Sequence, residues 1–102
     1  NFTENIWIHY VATWDGGTNA NGLNLYVDGS LIASTDTTGA GYVQCRNKAD
    51  SLILGGYDST STAGYYQGKM AGGPCGPFFT QKELTADEVN NLYQTQRGLL
   101  GV

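Results

Sequence analysis

Residues 6–14 read IWIHYVATW, and the reading of this stretch decides the fold. Ile6, Ile8, Tyr10, Ala12 and Trp14 alternate against Trp7, His9, Val11 and Thr13. A period of two marks a β-strand, and large groups on both sides of it predict a strand in the middle of a sandwich. The β-branched and aromatic content agrees, because such side chains pack well on a pleated surface.

Outward from there, residues 15–22, DGGTNANG, are all turn formers. Leu23, Leu25 and Val27 then alternate with Asn24 and Tyr26, which predicts a second strand with one wet face. Asp28-Gly29 follows at once. This dipeptide tolerates the positive φ angles of a tight hairpin turn, so residues 31–35 are expected to return antiparallel. Further strands are expected at 42–45, at 51–54 before Gly55-Gly56, and at 65–71, with a Gly/Ser/Thr loop from 57 to 64. After GGPCGP at 72–77, residues 78–80 read as a last short strand, since Pro74 and Pro77 cannot donate to a ladder.

The pattern changes at 84–89, LTADEV. Thr85 followed three residues later by Glu88 is a capping box, and Leu84 is placed to pack on Val89 as a hydrophobic staple. One helix therefore starts at Thr85. Val89, Leu92 and Tyr93 share a face, Arg97 suits the negative end of the helix dipole, and Gly98 is the expected left-handed stop. The helix should lie as a lid on the sandwich.

Composition sets the outer limits. The 102 residues fit one domain, and 15 glycines and 7 tyrosines against a single Met describe short strands joined by tight turns. The class is mainly β. A net charge of −4 with no Lys/Arg cluster excludes a nucleic-acid backbone or an anionic membrane as partner, since both need clustered cations. No apolar run approaches the roughly 20 residues that span a bilayer, so membrane insertion is not expected. Cys45 and Cys75 are too few and too far apart for a disulfide framework or a zinc site. They are either a pair or two separate buried thiols, and geometry decides which.

The segments IWIHYVATWDG, LNLYVDGSLIAS, LILGGY, YYQGKMAG and LTADEVNNLY, in this order, resemble the laminin-G-like members of the concanavalin-A-like lectin and glucanase superfamily. The resemblance covers nearly the whole chain and implies an antiparallel jelly-roll β-sandwich. Residues 68–102 look especially like the ends of laminin-G-like domains on structural and fibre proteins of tailed phages. A jelly roll of this kind has several strands before the Trp-x-His strand, and none precedes it here. Residues 1–102 are thus expected to be the C-terminal part of one domain, a fragment of a longer chain or one completed by a neighbouring subunit. A start at Asn1 without Met favours a fragment or a processed product. Asn1-Phe2-Thr3 is a glycosylation sequon only in a eukaryotic secreted chain, and the phage-like resemblance makes it incidental.

Catalysis is not expected. Glycoside hydrolysis needs two carboxylates across the scissile bond, and no strand carries such a pair or the Glu-x-Asp-x-x-Glu pattern of laminarinase-like relatives. His9 is the single histidine, sits inside a strand and has no neighbouring nucleophile, so it reads as structural. Cys75 has no histidine near it and no helix N-terminus to activate it. The family resemblance raises calcium at the sandwich rim, for which Asp15, Asn19, Asn21 and Asp58 are the candidate oxygen ligands. Asp or Asn followed by Gly is first of all a turn signal.

For ligand binding, Tyr57, Asp58, Tyr65 and Tyr66 stand in the loops, where rings can stack on sugars and carboxylates can accept from hydroxyls. Tyrosine is equally ordinary sandwich filling. The expectation is a non-catalytic carbohydrate-binding or adhesion module on a virion or cell surface. The alternative is a structural domain that decorates or cements an extracellular assembly through a partner protein, without a sugar site.

Overall fold

The Asp28-Gly29 dipeptide does what its chemistry dictates: φ is 49° at Asp28 and 77° at Gly29, a two-residue turn with both central residues left-handed. The structure is a computed structural model and describes residues 3–32, 68–71 and 77–101. Around this turn lies a three-stranded antiparallel sheet in the order β1 (Tyr10–Trp14), β2 (Leu23–Val27), β3 (Ser30–Leu31). The chain divides into two units, Asn1–Cys45 with Phe78–Val102, and Arg46–Pro77. In the second unit the described residues 68–71 carry no strand.

The register pairs Tyr10 with Val27, Ala12 with Leu25 and Trp14 with Leu23, placing these six side chains on one face. Val11 opposite Tyr26 and Thr13 opposite Asn24 form the other. The expected strand over 6–14 is shortened to its second half. Its partner ends at Val27, and among the described residues 6–9 have no ladder beside them apart from the closing bonds between His9 and Asp28. The strand is also not buried on both sides. Ile6, Trp7 and Trp14 are exposed, and Tyr10 is 50% exposed.

The wet face expected on β2 is inverted. Tyr26 is 5% exposed and Thr13 6%, whereas Leu23 on the opposite face is exposed. The helix α1 (Ala86–Leu100) lies against β3 and reaches the His9 side of the sheet. Alternation alone cannot say on which face a later helix will settle.

The N-terminus of α1 follows the sequence closely. Thr85, at φ −72° and ψ 162°, accepts from the Glu88 N–H at 3.2 Å, and the Glu88 carboxylate accepts from the Thr85 N–H at 2.9 Å. Val89 is fully buried and Leu84 is half-buried. Burying a valine side chain contributes roughly 1.5–3 kcal/mol, more than the cap itself at about 1 kcal/mol. The C-terminus departs from expectation: Gly98 stays helical and the left-handed residue is Gly101, at φ 72°, whose N–H donates to the Arg97 carbonyl. A helical glycine costs only about 1 kcal/mol, and Leu99 and Leu100 are good helix formers that carry the helix on to the next glycine.

Three other expectations come out differently. Residues 78–80 form no strand and Phe79 is 67% exposed, because no described segment offers a ladder partner beside Pro77. Of the expected 65–71 strand, the described part has no strand pairing. The return strand is described only as Ser30–Leu31, and the segments 33–35, 42–45, 51–54 and 57–64 lie outside the described residues. Among the described residues, no helix is long and apolar enough to cross a membrane.

Candidate functional site

The helix side of the sheet is organised around His9. Its Nε2 lies 3.0 Å from Gln96 Oε1, and since an amide oxygen only accepts, the bond as assigned places the ring proton on Nε2. The ring stands 5.6 Å from that of Tyr93, tilted by 49°. Arg97 lies over the other aromatic contact, its guanidinium carbon 5.4 Å from the Tyr93 centroid. Residues 93, 96 and 97 follow one helical stripe, so a single face of α1 supplies all three. This arrangement holds helix to sheet. His9 is half-buried, and its Nδ1 has no hydrogen-bond partner among the described residues.

The opposite side of the sheet is a different surface. Thr3, Ile6, Ile8, Tyr10, Val27, Asp28 and Ile32 line an open hollow of about 420 Å³. Tyr10 and Trp14, four residues apart on β1, share this face with Leu23, Leu25 and Val27. At a strand rise of about 3.4 Å their Cα atoms are about 14 Å apart. The polar groups of the hollow are few, and the Asp28 carboxylate is already engaged with the His9 N–H at 3.0 Å.

The turn from Asp15 to Gly22 holds three of the four candidate calcium ligands. Asp15 Oδ1 accepts from the Gly17 N–H at 2.7 Å, an Asx turn that directs the carboxylate back onto its own loop. The Asp15 N–H donates to the Gly22 carbonyl at 3.1 Å. Asn19 precedes a 3₁₀ turn (Ala20–Gly22) without a side-chain cap bond, its carbonyl accepting from the Gly22 N–H at 3.2 Å. Asn21 is exposed within that turn. Among the described residues no three His, Cys, Asp or Glu side chains gather into a metal-binding group. Asp58, the fourth candidate, lies outside the described residues, as do Tyr57, Tyr65 and Tyr66 and both cysteines, Cys45 and Cys75.

Lys82 adds a charge to the helix cap by pairing with Glu88. The Lys82 ammonium, and after it the Thr85 N–H, holds the Glu88 carboxyl below the ordinary glutamate range. The partnership of Asp28 with His9, and that of His9 with Tyr93 and Gln96, was not read from the sequence. The Asp28-Gly29 dipeptide was the available signal for the first; nothing local signals the second.

Comparison with known proteins places this geometry in context. The family model described as the Concanavalin A-like lectin/glucanases superfamily, of laminin-G type, matches residues 1–74. Among curated proteins no match is found. Among solved structures, the chain is similar to the crystal structure of an S-layer domain-containing protein, residues 221–444, from Clostridium thermocellum ATCC 27405. The TM-score is 0.54 at 21% identity, over 91% of this chain and 42% of that one. The chain thus spans less than half the length of that structure, and the likeness is one of fold.

Proposed function

Because the chain belongs to the concanavalin A-like lectin/glucanases superfamily as a laminin-G-like member, we propose that it is a non-catalytic binding module on an extracellular surface, attaching a cell or virion to a glycan. In this reading residues 1–102 are the C-terminal part of one antiparallel jelly-roll sandwich, completed by strands from a longer polypeptide or a neighbouring subunit. The similar structure is that of an S-layer domain-containing protein, which supports a cell-surface setting. The phage-like look of residues 68–102 supports a virion surface.

The observation that carries binding over catalysis is the state of three carboxylates among the described residues. Asp15, Asp28 and Glu88 each accept a backbone N–H and serve a turn or a cap. A glycosidase instead needs two carboxyl groups free to face a sugar bond from either side. Recognition falls to the end loops, where Tyr57, Tyr65 and Tyr66 stack on the apolar faces of a sugar and Asp58 accepts from its hydroxyls. The candidate oxygen ligands for calcium are Asp15, Asn19, Asn21 and Asp58.

A glycan array probed with the chain tests this. Retention on a defined glycan, weakened about ten-fold or more by Tyr57→Ala or Tyr66→Ala, supports the reading, a loss equivalent to about 1.4 kcal/mol. Hydrolysis of any glycan overturns it.

A second reading has its own observation. The face of Tyr10, Trp14, Leu23 and Leu25 is apolar and poor in the polar rim groups a sugar needs, which favours a structural domain that packs against protein. Light scattering separates the two. A stable oligomer that retains no glycan carries the second reading, and a monomer that binds glycan removes it.

A further inference from the structure

No further inference is drawn: the strongest candidate, the apolar face of β1 and β2 with its hollow at Ile6, Ile8, Tyr10, Val27 and Ile32, is the face on which the proposed sandwich would close, and nothing in the structure shows what covers it.

Discussion

Asp28 and His9 are joined at two points: the Asp28 N–H donates to the His9 carbonyl at 2.9 Å, and the Asp28 carboxylate accepts from the His9 N–H at 3.0 Å. In a regular antiparallel pair the second bond would go to a backbone carbonyl. The left-handed conformation at φ 49° turns the Asp28 carbonyl away, and its side chain takes over that role. One residue thereby shapes the turn and closes the ladder.

This double role predicts a graded series. Asp28→Ala loses the carboxylate and meets the steric penalty of a left-handed Cβ, and is expected to lower stability by about 1–3 kcal/mol. Asp28→Asn keeps an oxygen and tolerates the conformation, so it should cost less than about 1 kcal/mol. Asp28→Gly isolates the lost bond and should fall between them. Urea denaturation of the three variants gives the order, and an Ala no worse than Gly would remove the conformational part of the argument.

Gly29 is constrained from outside the turn as well. At φ 77°, a Cβ there would stand 2.9 Å from Tyr93 Cδ1 and 3.2 Å from Asn90 Nδ2, closer than packed atoms tolerate. Gly29→Ala is expected to destabilise by about 1–3 kcal/mol. Pairing it with Tyr93→Ala in a double-mutant cycle should give a double variant better than the sum of the singles. Additive energies would mean that the helix moves aside freely.

How much of this was legible follows from where each cause lies. The turn at Asp28-Gly29 and the Thr85–Glu88 cap are set by a few adjacent residues, and both stand as read. The strand over 6–14 and the segment 78–80 were misjudged because pairing depends on a partner elsewhere in the chain, and propensity is silent about partners. Which face of β2 is wet depends on what packs against it, and alternation within the strand does not name that element. Gly98 and Gly101 offer the same left-handed stop, and local chemistry does not choose between them. Of the candidate site, Asp15, Asn19 and Asn21 were correctly placed in a turn, while Tyr57, Asp58, Tyr65 and Tyr66 stand outside the described residues.

The helix cap predicts a pH response. With Glu88 held below the ordinary glutamate range, its contribution is present in full above that range and is lost as the pH falls through the lowered folded value. Lys82→Met should therefore weaken the helix at neutral pH and leave it unchanged in acid strong enough to protonate Glu88. Thr85→Ala removes the other half of the box and should cost about 1 kcal/mol at neutral pH. Circular dichroism at 222 nm, followed during thermal unfolding across pH, reads both.

The first loop predicts how calcium behaves. Because the Asp15 carboxylate is engaged with the Gly17 N–H, Asp15→Ala should lower the melting temperature by the same amount in EDTA and in calcium, through loss of the Asx turn. Asp15→Asn should recover most of it. A deficit that appears only with calcium present would instead assign the carboxylate to the ion.

The bond between His9 and Gln96 joins residues 87 positions apart, and it sets an order of events in time. A hairpin closes within about 1–10 μs once its residues exist, whereas a long loop loses more entropy on closing. During synthesis β1 to β3 can therefore pair as soon as residue 32 has left the ribosome, while His9 waits for its partners Tyr93 and Gln96 on the helix. Pulsed hydrogen exchange on refolding chains should find hairpin amides protected before those of α1, and simultaneous protection would remove this order. For that interval the nascent chain depends on translation speed, and on whatever shields its half-made surface, more than on its final stability.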